Sequence, residues 1–211
     1  MKPIVAIAVL VFCQCSLDAA TTAGPAFIVN APVPDNSAVG LSNTQWITST
    51  ITHISEVSVQ IVMSGGWSGD LYGYLAHDSG FAVLLNRPGR SLLNADGSGV
   101  SQLSVFFSDG AATDIHNAIP NSGVASGFFQ PDARTIDPAN SLDTSPRTAF
   151  LSSFHGLDAN GDWTLFLADV ATGETMNLES WSLTIQGVPE PNTAAMAALG
   201  IGLILHRRRR C

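Results

Sequence analysis

The chain has 211 residues, with 17 acidic against nine basic side chains, a formal net charge of −8 and 45% hydrophobic residues. Lys2 and Arg207 to Arg210 sit at the two ends, so residues 24–187 hold four arginines against fifteen acids, a net −11. Nucleic acid is a poor partner for that body, because phosphate binding relies on clustered Lys and Arg. All three cysteines (Cys13, Cys15, Cys211) lie in the terminal segments. A hydrophobic core or bound ions, rather than disulfides, must therefore hold the body together.

In chain order, Met1-Lys2, the apolar run from Pro3 to Phe12 and the stretch ending at Ala19-Ala20 read as an export signal. The run is too short for a membrane span of about 20 residues. A signal peptide is expected over 1–20, cleaved near Ala19 or Ala20. The domain is expected over 24–187, long enough for one sizeable core.

Helical periodicity is nearly absent from Thr21 to Gly187. Strands are expected at Ala26–Val29, Ile51–Val62, Asp70–Ala76, Ala82–Leu85, Leu103–Phe107, Thr164–Ala168 and Ser180–Ile185. Alternation places Val57, Val59 and Ile61 on one side and Ser58 and Gln60 on the other. Trp163, Leu165 and Leu167 share a face, as do Trp181, Leu183 and Ile185. Turn chemistry separates the runs, as at Ser64-Gly65-Gly66, Arg87-Pro88-Gly89 and Asn160-Gly161. The pattern predicts an all-β, jelly-roll β-sandwich, with 109–147 as a loop-rich stretch.

Nucleophilic catalysis needs a serine, a base and an orienting acid in contact. His53, His77, His116 and His155 are scattered, and Gly66-Trp67-Ser68-Gly69 reads as a polar turn. Glycosidase chemistry needs two converging carboxylates, and the spacing of Glu56, Glu174 and Glu179 does not show convergence. No catalytic residue is assigned, and the chain is read as non-enzymatic. Trp67, Tyr72, Tyr74 and Trp163 are candidates for a sugar-binding platform, with core packing as the competing reading, and Trp163 and Trp181 are expected in the core. Asp158 to Asp162 imitates the start of an EF-hand loop, but its glycine falls at the fourth place and a strand follows, so that motif is rejected. A β-turn calcium site drawn from Asp70, Asp109, Asp114 and Asp162 remains the candidate metal centre.

The end of the chain carries Pro189-Glu190-Pro191, an apolar run from Thr193 to Leu205, and Arg207, Arg208, Arg209 and Arg210. As a helix the run reaches about 20 Å against a hydrocarbon core of about 30 Å. The arginines would hold its end on the cytoplasmic side. These three elements, over 188–211, resemble the PEP-CTERM sorting signal. The resemblance implies processing by an exosortase at the inner membrane, where the 193–205 transmembrane helix holds the chain transiently. Delivery to the cell surface or an extracellular polymer matrix follows. Cys211 has no assigned role.

Within the body, Gly69-Asp70-Leu71, Val105 to Asp109 with Ala111-Ala112, Ser126 to Pro131 and the stretch from Phe150 to Gly187 resemble the P domain (Homo B domain) of furin- and kexin-type convertases. The similarity covers Ile51 to Gln186 and gives a domain core over 51–187. It implies a sandwich that packs on and stabilises a subtilisin-like catalytic domain, of which only the accessory module carries over here. Three roles follow. The first is an exported surface or matrix protein, binding or structural. The others are an accessory module for a separate serine protease and a carbohydrate-binding module in an exopolysaccharide matrix.

Overall fold

A computed structural model describes residues 20–120 and 122–189. Most of the expected signal peptide, the apolar run 193–205 and Arg207 to Arg210 lie outside the described residues. Among those described, no helix is long and apolar enough to cross a membrane.

The architecture is a two-sheet β-sandwich. The strands are β1 (Ala20–Ala23), β2 (Phe27–Pro32), β3 (Ser37–Ile47), β4 (Ile51–Ser64), β5 (Leu71–His77), β6 (Gly80–Asn86), β7 (Gly99–Phe107), β8 (Ser122–Phe129), β9 (Gly161–Asp169) and β10 (Asn177–Pro189). The larger sheet runs β1-β10-β4-β7-β8, with β2 also pairing β10, and the smaller runs β3-β9-β5-β6. The spine of the larger sheet is the antiparallel pair β4–β10, paired from Ser64↔Asn177 to Ile51↔Pro189 with register shifts at Leu178/Ser180, Gln186/Gly187 and Val188/Pro189. The parallel pair β7–β8 needs a crossover, supplied by the segment that holds the short helix α1 (Ile115–Ala118).

The alternation read from the sequence sorts the two faces. Val57, Val59 and Ile61 of β4 and Trp181, Leu183 and Ile185 of β10 point inward from the large sheet. Trp163, Leu165 and Leu167 of β9 meet them from the small one, and all are buried. Each buried indole N–H finds an acceptor, as burial demands. Trp163 donates to the Ala159 carbonyl at 3.1 Å and Trp181 to Asn43 Oδ1 at 2.8 Å. His77 stacks flat on Trp163, centroids 4.1 Å apart, and its ring nitrogens lie 2.9 Å and 2.7 Å from the Asp162 and Asp158 carbonyls.

Every expected strand falls on an observed one, but the sandwich also uses three that sequence patterning did not mark. In β3 the inward positions include Asn43 and Gln45, so the apolar period is broken: Asn43 Oδ1 accepts from both the Gln45 amide (2.9 Å) and the Trp181 indole. In β8 the run is Gly- and Ser-rich, with Gly123 and Gly127 at positive φ, and only Ala125 and Phe129 reach the core. The third, β1, pairs Ala20–Ala23 with β10, so the sheet includes Ala20, the last residue assigned to the signal.

The loop-rich stretch is organised by one side chain. Arg134 is 1% exposed and donates from all five of its N–H groups. Its partners are the Leu142 carbonyl, the carbonyl and Oδ1 of Asp132, Asp114 Oδ2 and the Asp143 carbonyl, at 2.8–3.2 Å. Burial alone would lower its pKa, but the hydrogen bonds and charges of Asp114 and Asp132 outweigh that and raise it. Asp132 is also fully buried. Its Oδ2 accepts from the Asn86 amide and lies 2.8 Å from His116 Nδ1, while His116 Nε2 faces the Arg90 carbonyl. Removing one partner of a buried pair leaves an uncompensated charge, at a cost of about 3–5 kcal/mol. Arg134→Ala is therefore expected to lose about that much in urea unfolding. Arg134→Lys, with three donors for five acceptors, should recover only part, and a loss below about 1 kcal/mol for Arg134→Ala would contradict this account.

Candidate ligand-binding face

Strands that bury one face must present the other. In β5, Leu71, Gly73, Leu75 and His77 turn inward, so Tyr72, Tyr74 and Ala76 turn outward. In β9 the inward Trp163, Leu165 and Leu167 force Phe166 outward. Register then builds rows across the outer face of the small sheet. One row is Ser42, Phe166, Tyr74 and Val83, the last of which is fully covered; the next is Thr44, Thr164, Ala76 and Phe81. Tyr74 and Phe166 stack at 4.8 Å and 19°. Phe81 leans on Tyr74 at 5.0 Å, and Tyr72 meets it edge-on at 6.1 Å. Gly40, at φ +61°, makes room for this: a Cβ there would meet the Phe166 ring at 2.7 Å and the Leu167 carbonyl. Trp46, 70% exposed, stands at the far end of the face opposite Asp162.

At the Tyr72 end the rows open into a pocket of about 480 Å³, within the usual range for small-molecule sites. Tyr72, Phe166 and Ala168 line one part and Thr135 to Ala139 another, with Arg87 at the side. The 135–139 segment is fixed from behind. Asn86 Nδ2 donates to the Arg134 and Ile136 carbonyls, both at 2.9 Å, and Asp137 accepts from the Ala139 amide at 2.8 Å. Burial, with Tyr74 beside it, raises the Tyr72 hydroxyl above the ordinary phenol range, so it stays a donor. The Arg87 guanidinium is held by the Gly69 carbonyl (2.9 Å) and Asp70 Oδ1 (3.3 Å).

Of the four aromatics proposed as a sugar platform, the structure brings only Tyr72 and Tyr74 together. Trp163 is buried in the core. Trp67 lies over Gly99 at one end of the sandwich and donates to the Asp96 carbonyl at 3.1 Å. Sequence patterning does not mark Phe81 or Trp46 for this face, but Phe166 is readable, because it alternates with the inward Trp163, Leu165 and Leu167.

The four candidate calcium ligands occupy separate places. Asp70 pairs with Arg87. Asp109 accepts from the Leu151 and Ser152 amides at 3.1 and 2.7 Å. Asp114 caps α1 through the His116 amide at 3.0 Å and pairs with Arg134 at 2.9 Å. Asp162 is exposed beside Trp46. A cation at any of the first three would have to displace an arginine or a pair of amides. Among the described residues no group of three or more His, Cys, Asp or Glu is placed to hold a metal ion. Ser68 is buried and donates to the Ser98 carbonyl, while Glu56, Glu174 and Glu179 lie on β4, on the 170–176 loop and on β10.

Residues 187–210 match the PEP-CTERM protein-sorting motif. The chain is thus an exported, cell-surface-directed protein processed by an exosortase at the membrane. No match was found among curated proteins. Two crystal structures of a serine protease from Aeromonas sobria, one in complex with its chaperone, are similar to it, with TM-scores of 0.43 and 0.44 and 17% identity. In each comparison 80% of this chain is covered, and the chain spans only 27% of the length of the protease.

One carboxylate beneath the face sets a pH dependence. Asp169, buried on the inner side of β9, accepts from the Ala171 amide through Oδ1, but its Oδ2 has no partner. Burial pushes its carboxyl up to about 6, with Asp70 and Asp35 adding to the rise and the Ala171 and Asn36 amides opposing it. The folded state therefore keeps a proton that the unfolded chain releases near pH 4. The stability this contributes is full below that range and is lost as pH rises through about 6. Asp169→Asn is expected to raise the melting temperature at pH 7.5 and to change it little at pH 3.5. An equal shift at both pH values would contradict this.

Proposed function

We propose that this protein is a non-catalytic binding module, delivered to the outside of the cell by its sorting tail, whose ligand surface is the outer face of the small sheet. The observation that carries the reading is the braced aromatic row of Phe81, Tyr74 and Phe166, which leads past Tyr72 into the pocket. Aromatic rings left on a sheet exterior cost solubility. Here they sit beside a preformed pocket whose wall is tied down by hydrogen bonds.

The tail and the face make separable predictions. Replacing Arg207 to Arg210 with serines should leave the full chain unprocessed and lower the amount at the surface, read by immunoblot of cell fractions. Processed protein added back to extracellular matrix from cells lacking this chain should rebind, and Tyr74→Ala should weaken rebinding by about three- to tenfold. Unchanged rebinding by a folded Tyr74→Ala protein would sink the assignment of the face.

A second reading, an accessory module seated on a separate serine protease as the P-domain resemblance implies, is favoured by one feature. The turn at 91–94 presents Leu92 (84% exposed) and Leu93 (100% exposed) at its tip, on a loop held by Asn94 and Arg90. Under that reading Leu92→Ser combined with Leu93→Ser abolishes rebinding, whereas Tyr74→Ala leaves it intact.

A further inference from the structure

We infer that the outer face of the small sheet takes a neutral, hydroxyl-rich polysaccharide chain, an inference that rests on the binding reading above and specifies its ligand. Three features select that class. Charge comes first. The two central rows, Ser42-Phe166-Tyr74-Val83 and Thr44-Thr164-Ala76-Phe81, hold no charged side chain. The body around them carries a net −11, so a polyanion such as a uronic-acid polymer is repelled at long range. A polycation would find no carboxylate in those two rows, where most of the contact is made; Asp162 and Asp137 lie only at the two ends of the face.

Chemistry comes second. A sugar ring has an apolar face and a rim of hydroxyls, and the two rows set the rings of Phe166, Tyr74 and Phe81 beside the hydroxyls of Ser42, Thr44 and Thr164, of which Thr44 and Thr164 bond each other at 2.8 Å. The pocket adds the Tyr72 hydroxyl as a donor, the Arg87 guanidinium and the Asp137 carboxylate. A protein partner would more commonly meet a flatter apolar patch with a polar rim.

Preorganisation comes third. The rings brace one another and the 135–139 wall is hydrogen-bonded in place, so little side-chain entropy remains to be lost on binding. Extent fits a chain rather than a single sugar: Trp46 and Ser42 lie four residues apart on β3, about 13 Å along the strand, and the pocket lies beyond.

The test is affinity electrophoresis of the full-length protein, in native gels with mild non-ionic detergent, containing mannan, xylan or a soluble β-glucan, with alginate and polygalacturonate as acidic polymers. At least one neutral polymer is expected to retard migration. Tyr72→Ala, which truncates a surface ring and leaves the core intact, should weaken retardation about three- to tenfold, and Tyr72→Phe, which keeps the ring, much less. Thermal unfolding of each variant confirms the fold. Retardation by the acidic polymers alone, or by a neutral polymer but equally for wild type and Tyr72→Ala, overturns the inference. If no polymer retards the protein while Tyr74→Ala still weakens matrix rebinding, the glycan class falls and the binding face stands. If rebinding is also unchanged, both fall.

Discussion

The irregular half of this molecule depends on a buried cation. Two sheets with complementary apolar faces account for the sandwich, but they do not account for the path of the chain between β7 and β9, where there is little regular structure and no disulfide. Arg134 solves that problem by spending every donor it has on groups from 114, 132, 142 and 143. Asp132 extends the network to Asn86 of β6 and to His116 of α1. The same arrangement fixes the residues that follow, Thr135 to Ala139, against the edge of the small sheet. The pocket wall is thus a by-product of how the loop is anchored.

Much of the fold was legible because alternation is a local signal. Val57, Val59 and Ile61, and the two tryptophan-led strands at 163–167 and 181–185, could each be assigned a face from their own sequence. What stayed hidden depends on distant partners. Asn43 and Gln45 look out of place in a strand until the Trp181 indole is seen across the sandwich. The β8 run looks like a turn until β7 lies beside it. The face itself is half readable: Tyr72 and Tyr74 are in view and Trp163 falls in the core as its alternation with Leu165 and Leu167 expects, while nothing in the residue type says that Trp67 points elsewhere. The aspartates show the same limit. Asp114 reads as a metal ligand in isolation and becomes an arginine's counter-ion once residue 134 is brought to it.

The tail and the face also have a spatial relation. The sorting motif follows β10 at Pro189, the end that pairs with the start of β4. The pocket lies near the end of β9, one loop before β10 begins. The 13 residues of β10 span about 40 Å, so the pocket lies at the end of the sandwich remote from Pro189. The body is acidic, and its four arginines are each tied into internal hydrogen bonds, an electrostatic character that disfavours anionic partners.

The proposed ligand contact is the outer face of β5, β9 and β3. It is located by titrating the isotopically labelled protein with mannohexaose and xylohexaose and mapping amide chemical shifts. Shifts are expected only at residues 42–46, 72–76, 81, 164–168 and 135–139, with the 91–94 turn and the outer face of the large sheet unaffected. Saturable shifts centred on Leu92 and Leu93, or on the Trp67 end of the sandwich, would contradict it.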